Sequence, residues 1–243
     1  MELRDKTALV TGGGSGIGLG IALALAREGC RVAITGRSAR KLEEAAAKFD
    51  GRPAILARAC DVADRADVER LFAWLHEQFG PLDILVTSAG INVPKRRMAD
   101  LAPADWDRVL AINATGTYNC MHAALPGMRK RRAGLIVNIS SIAGKRALRL
   151  AGPAYVASKF AATGLGTAVG LEERANGIRV TNIYPGEVNT PILAQRPEPV
   201  PAEKLAQMVM PEDIAACVVT IAKLPDRVLV PELVITPLYQ EYA

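Results

Sequence analysis

Apolar residues along this chain fall into short unbroken runs separated by longer stretches with helical spacing. The runs at 7–11, 31–35, 54–60, 83–87, 135–139, 179–183 and 233–236 are dominated by Val, Ile, Leu and Ala. Most of them do not alternate polar with apolar, so they read as strands covered on both faces, as in a parallel sheet. Between them, 16–28 places Ile17, Ile21, Ala24 and Leu25 on one face of a helix. The segments 39–48, 64–79, 105–131, 153–176 and 211–224 are further helices. Strand and helix alternating over the whole length predict an α/β fold, a doubly wound parallel sheet of about seven strands with helices on both faces. No repeat or low-complexity linker divides the chain, so one domain over 1–243 is expected. The Pro-rich stretch 185–211 reads as a loop, with 187–210 a short lid.

Composition narrows the functional classes. With 243 residues, half of them apolar and 23% charged, the chain can bury a core without disulfides or metals. The start, Met1-Glu2-Leu3-Arg4-Asp5-Lys6, is polar, and charges interrupt every apolar run before it could span a bilayer. A cytoplasmic protein with no membrane partner is expected. Cys30, Cys60, Cys120 and Cys217 lack metal-ligand spacing and read as buried reduced thiols, with no metal site. His76 and His122 lie on helical patterns far from any carboxylate motif, so the chemistry is not expected to use histidine. The net charge of +5 favours anionic ligands, but aromatics at 5% speak against a nucleic-acid surface. The run Arg129-Lys130-Arg131-Arg132 ends a helix, where cations complement the dipole. Lys95-Arg96-Arg97, and Lys145-Arg146 with Arg149, fall instead in loops near the candidate site.

That site begins with Thr11-Gly12-Gly13-Gly14-Ser15-Gly16-Ile17-Gly18, between the first strand and the first helix. Glycines there permit a tight turn and close backbone approach, and the helix N-terminus offers N–H groups to a pyrophosphate. The end of the second strand selects the dinucleotide. An acid would bind a ribose 2′-hydroxyl, whereas the chain reads Thr35-Gly36-Arg37-Ser38 with Arg40 and Lys41 beyond. A cation at Arg37 suits the 2′-phosphate and predicts NADP(H). Asp61, followed by Val62 after the third strand, could accept from an adenine amino group or cap the next helix.

Tyr155-x3-Lys159 opens the helix that begins at Pro153. Residues four apart share a helix face, so phenol and ammonium can point into one site. A cation about 4 Å from the phenol, at an effective dielectric near 20, contributes about 4 kcal/mol. That is enough to bring a tyrosine from about 10 to about 7, where it can exchange a proton with a carbonyl or alcohol. Ser141 follows the fifth strand, and Asn113 sits mid-helix, where a polar side chain needs a partner.

With the glycine loop, Asn113, Ser141, Tyr155 and Lys159 in this order, the whole chain resembles the short-chain dehydrogenase/reductase family, whose fold is of the Rossmann type. The resemblance implies that Tyr155 is the general acid/base and that Ser141 hydrogen-bonds the substrate oxygen. It implies that Lys159 lowers the tyrosine pKa and holds the nicotinamide ribose, and that Asn113 supports a proton relay through water. Ser140 lies outside the catalytic set on the same ground. The cofactor wall would comprise Thr11, Gly12, Gly14, Ser15, Gly16, Ile17, Gly18, Arg37, Ser38, Asp61 and Val62. Ala89 and Gly90 would line the adenosine ribose, and Pro185, Gly186, Val188 and Thr190 the nicotinamide end.

Two departures from the family pattern stand out. Thr87-Ser88-Ala89-Gly90 replaces its Asn-Asn-Ala-Gly, and its Asp-Gly-Gly ending is missing. The ending here, Pro231-Glu232-Leu233-Val234-Ile235-Thr236-Pro237, is similar to the branch of 3-hydroxy acid dehydrogenases and related carbonyl reductases. The expected activity is hydride transfer between NADP(H) and a ketone or secondary alcohol, a small carbonyl or 3-hydroxy/3-oxo acid. Reduction of 3-oxoacyl thioesters is the alternative, and a non-catalytic NADP(H) sensor a remote one. The resemblance also implies a homo-oligomer, dimer or tetramer, pairing its two long helices.

Overall fold

Seven strands form at the predicted runs: β1 (Thr7–Thr11), β2 (Arg31–Gly36), β3 (Leu56–Ala59), β4 (Ile84–Thr87), β5 (Gly134–Ile139), β6 (Ile178–Pro185) and β7 (Glu232–Ile235). The computed structural model describes residues 2–241, so residues 1, 242 and 243 of the expected domain lie outside the described ones. Every strand pairing among the described residues is parallel, in the order β3-β2-β1-β4-β5-β6-β7. The helices are α1 (Gly16–Arg27), α2 (Ala39–Ala46), α3 (Arg65–Phe79), α4 (Pro103–Leu110), α5 (Gly116–Arg131), α6 (Pro153–Glu173), α7 (Ala202–Gln207) and α8 (Pro211–Lys223).

The unbroken apolar strands are explained by two core layers. Ala8 and Val10 of β1 pack with Ile21 and Leu25 of α1 and with Ile214 and Val218 of α8. Leu9, between them, packs on the other face with Leu71 and Leu75 of α3 and Met121 and Met128 of α5. Each such side chain, fully buried, contributes about 1.5–3 kcal/mol, so neither face tolerates a polar alternation. This is the Rossmann-type α/β sheet, and its order reverses between β1 and β4, where a crevice opens at the C-terminal strand ends.

Three elements differ from the sequence-based expectations. The helix expected over 105–131 is α4 and α5 joined by a π-helical turn, Ala111–Thr115. A single turn of five residues is too short for apolar spacing to set apart from α-helix. The lid over 187–210 is not a bare loop. It holds a 3-10 helix, Pro191–Gln195, and α7. Its base is stitched by a bridge between Val188 and Val209, with Asn189 N donating to Val209 O at 2.9 Å. The basic run at the end of α5 also makes specific contacts beyond the dipole. Arg129 pairs with the buried Glu173 of α6, while Arg131 and Arg132 donate to the carbonyls of Leu82 and Ala175.

A buried polar ladder fixes α6 on the sheet. Thr87 Oγ1 donates to Asn138 Oδ1 at 2.9 Å. Asn138 Nδ2 donates to Asn182 Oδ1 at 2.8 Å and to the Ala162 carbonyl of α6 at 2.9 Å. Ladder and helix are thereby locked in register. Cys30, Cys60 and Cys120 are buried and Cys217 is only half-buried, a partial departure from the expected four buried thiols. Among the described residues no group of metal-ligating side chains comes together, and no helix is long and apolar enough to cross a membrane.

Candidate active site

From Thr11 the chain turns sharply through the glycines into α1. Gly12 sits at φ +67°, and a Cβ there would lie 2.8 Å from the Ser88 carbonyl. No side chain caps α1 and its first turn carries no acid. Its first N–H groups and positive dipole end therefore face the crevice, a site fitted to an anion. Thr11 itself lies behind this wall, where its Oγ1 accepts from the amides of Ser88 and Ala89, both at 3.0 Å. It ties the ends of β1 and β4 together.

Two cavities run side by side along the strand ends. The smaller, about 250 Å³, is lined by Gly14, Arg37, Ser38, Asp61, Val62 and Ala89. The larger, about 540 Å³, is lined by Gly16, Ile17, Gly18, Ser141, Tyr155 and Lys159, with Pro185, Gly186, Val188 and Thr190 opposite. Gly12, Ser15 and Gly90 border both. Of the residues expected at the site, only Thr11 and Asn113 are absent from these walls. The trough fits a dinucleotide, with an uncapped helix end midway and cations at its far end.

That cationic end is Arg37 and Lys41, both exposed. Ser38 caps α2, its Oγ accepting from Lys41 N at 3.4 Å. Asp61 does not cap α3. Asp64 does, accepting from Ala66 N and Asp67 N, while Asp61 Oδ1 accepts from Ala63 N at 3.0 Å.

At the other end, Ser141 stands just past β5, its Oγ accepting from Ala143 N at 3.1 Å. Tyr155 lies on the first turn of α6, and Lys159 one turn further on is buried, its Nζ donating to the Ile139 carbonyl at 2.9 Å. Ser140 turns into α6, where its Oγ meets the Lys159 carbonyl and Thr163 Oγ1. Asn113, buried in the π-helical turn, works behind the wall. Its Oδ1 accepts from Ile91 N at 2.8 Å, and its Nδ2 donates to Ile91 O and Ser158 Oγ. The partner expected for this polar residue is thus the backbone beside Gly90 together with α6.

The electrostatics correct one expectation. Lys159 Nζ lies 5.7 Å from the Tyr155 ring centroid, and the phenol is nevertheless not shifted toward neutrality. Burial raises the Tyr155 pKa above its ordinary value, against the smaller downward pulls of Ser141 and the Arg96 charge. Lys159 is itself pushed down to about 8 by burial. Tyr155 is therefore protonated at neutral pH, an acid held ready rather than a phenolate.

Several wall residues had no motif to announce them. Asn92, Arg96, Leu150, Arg196 and Gln240 all line the larger cavity. Arg96 belongs to a flagged basic run, which was the available signal. The lid and the C-terminal tail carry Arg196 and Gln240 with no comparable mark. Of the second flagged run, Arg149 lines the cavity, whereas Lys145 is taken up by Glu232 and the Tyr184 ring.

A family model described as short chain dehydrogenase matches residues 6–200. The chain is 36% identical over 241 residues to glycine betaine reductase ATRR of Emericella nidulans, covering 97% of this chain but 19% of that much longer protein. Among solved structures it superposes on an alcohol dehydrogenase of the archaeon Thermococcus sibiricus complexed with 5-hydroxy-NADP, with TM-score 0.88 and 29% identity over 98% of this chain and 99% of that one. It also superposes on the closed form of a serine dehydrogenase complexed with NADP+, with TM-score 0.89 and 30% identity over 98% and 97% of the two chains. The chain belongs to the short-chain dehydrogenase family of oxidoreductases.

Proposed function

We propose that this chain is an NADP(H)-dependent carbonyl reductase, or the reverse dehydrogenase, acting on a small ketone or secondary alcohol of the 3-oxo or 3-hydroxy type. The observation that carries the reading is the joint lining of one cavity by Ser141, Tyr155, Lys159 and the glycine loop. Solved relatives with NADP-type ligands support the cofactor, as do Arg37 and Lys41 at the far end of the trough.

When bound, the nicotinamide supplies or accepts the hydride. The chain's own residues do the rest. Gly12 to Gly18 present the N–H groups of α1 to the pyrophosphate, and Arg37 with Lys41 neutralises the 2′-phosphate. Asp61, Val62, Ala89 and Gly90 border the adenosine side, with Pro185, Gly186, Val188 and Thr190 bordering the nicotinamide side. Ser141 donates to the substrate oxygen, and Tyr155, protonated at neutral pH, gives its proton to that oxygen during reduction. Lys159 holds the nicotinamide ribose and stabilises the tyrosinate left behind. Asn113 acts as a positioning residue and, through water, as part of the proton relay.

The whole chain would act as one cytoplasmic domain. Tyr118, Phe160 and Leu171, exposed on α5 and α6, support assembly into a dimer or tetramer through those helices, which sedimentation would measure. The activity is tested by NADPH oxidation against 3-oxo acids, 3-oxoacyl thioesters, ring ketones and aldehydes, repeated with NADH. Turnover of free ketones with NADPH preferred is expected. Absence of turnover with every carbonyl, and of the reverse reaction with the matching alcohols, would overturn the reading.

A further inference from the structure

Arg96 is a buried cation in the wall of the site. It lines the larger cavity together with Tyr155, yet it is only 7% exposed. Its Nε donates to the Val93 carbonyl at 2.8 Å, Nη1 to the Leu150 carbonyl at 3.2 Å, and Nη2 to the Gln195 carbonyl. All three acceptors are neutral. No carboxylate forms an ion pair with Arg96 among the described residues. Burial and the neighbouring cation Arg196 both work against its charge, and Tyr155 acts weakly the other way. Arg196 has its own counter-ion in Glu187, at 2.8 Å.

A buried charge without a counter-ion is costly, and proteins normally pair it. Three carbonyls leave Arg96 with one N–H on each terminal nitrogen, a planar fork matched to a carboxylate. The side chain is also held in place. Gly152 sits at φ +78°, and a Cβ there would lie 2.5 Å from the Arg96 carbonyl oxygen and 2.8 Å from its Cβ. The 148–152 loop thus closes directly on the arginine stem, and Asn92 Nδ2 secures it through the Ala151 carbonyl at 3.0 Å. Tyr155 follows three residues after Gly152, so the segment that packs on the arginine stem also carries the phenol.

We propose that Arg96 is the specificity-determining residue of this site and that it binds a carboxylate on the substrate, which makes the preferred substrates keto acids and hydroxy acids. This rests on the hydride-transfer reading above and names the substrate class within it. The three backbone bonds alone would make Arg96 a clamp joining the 93–96 loop, the 148–152 loop and the lid. The missing counter-ion is what a clamp does not explain.

The test compares acetoacetate with methyl acetoacetate, a pair that differs by one charge, in wild type, Arg96→Gln and Arg96→Lys. The quantity read is the ratio of kcat/KM for acid over ester with NADPH. Wild type prefers the acid, and Arg96→Gln lowers the ratio about 100-fold, mainly through KM. Arg96→Lys keeps the charge but not the fork and lowers it about tenfold. A pure clamp would reduce both substrates together and leave the ratio fixed. That result, or a wild type without acid preference, overturns the proposal while ester turnover keeps the hydride reading intact. If neither substrate turns over, titration calorimetry of acetoacetate into the NADP+ complex decides. Binding that Arg96→Gln abolishes supports the proposal, and no binding to wild type refutes it.

Discussion

The two cavities along the strand ends are built by different means. The smaller is walled by strand ends and the turns that directly follow them, and its cations, Arg37 and Lys41, stand in solvent. The larger draws on segments far apart in the chain, the 92–96 loop, the lid and the tail at Gln240, and two of its four cations, Arg96 and Lys159, are buried, with Arg196 half-buried and Arg149 exposed. A nucleotide can be gripped by backbone geometry, which the fold supplies. A substrate is selected by buried side chains, which must be brought in from elsewhere and held at a cost in desolvation.

The largest effect is expected at the exposed end. Arg37→Glu should lower the kcat/KM preference for NADPH over NADH about 100-fold, through repulsion of the 2′-phosphate, with Tm unchanged because the side chain is exposed. Steady-state kinetics with both cofactors checks it. Behind the larger cavity, Asn138→Ala should cost about 1–3 kcal/mol in denaturant unfolding, since Thr87 and Asn182 lose their buried partner. Because α6 is released at Ala162, kcat should fall with it.

The lid gives a smaller effect. Glu187 accepts from Arg196 at 2.8 Å and from Tyr239 at 2.6 Å, and pairs with Lys204 at 3.0 Å. Burial opposes its ionisation, yet these three partners together hold its pKa below the ordinary carboxylate range. The stability it lends is therefore present above the unfolded pKa and is lost as pH falls through the folded one. Glu187→Gln should raise lid opening about tenfold, read as hydrogen exchange of amides over 191–207. The smallest effect is in pH. Lys159, pushed down to about 8, is charged below that pH and neutral above it. Carbonyl reduction should be about halved at pH 8 and fall further above it, and Lys159→Arg should remove that limb at lower kcat.

Legibility in the sequence followed the same division. The central strands were readable because both faces of each are buried, so Thr7–Thr11 and Gly134–Ile139 carry consecutive apolar residues. The glycine loop was readable because only glycine adopts the turn at Gly12. The π-helical turn holding Asn113 was invisible, since one turn is too short to leave a periodicity of its own. Lys159 was found by spacing, but its distance from the phenol depends on the bond to Ile139, which no pattern encodes. Arg96 stood out as part of a basic run, while its burial arises from Gly152 and three carbonyls distant in sequence. Gln240 had no signal, because the pairing of β7 with β6 is what carries the tail to the cavity.

The most direct test of the central claim uses NADPH carrying deuterium at both C4 positions, with a 3-oxo acid or its ester, in wild type and Tyr155→Phe. Wild type should place one deuterium on the carbinol carbon of the product. Tyr155→Phe should bind NADPH with unchanged Kd and form labelled alcohol at least about 100-fold more slowly. NADPH oxidation without labelled alcohol, or labelled product from Tyr155→Phe at the wild-type rate, would contradict the account.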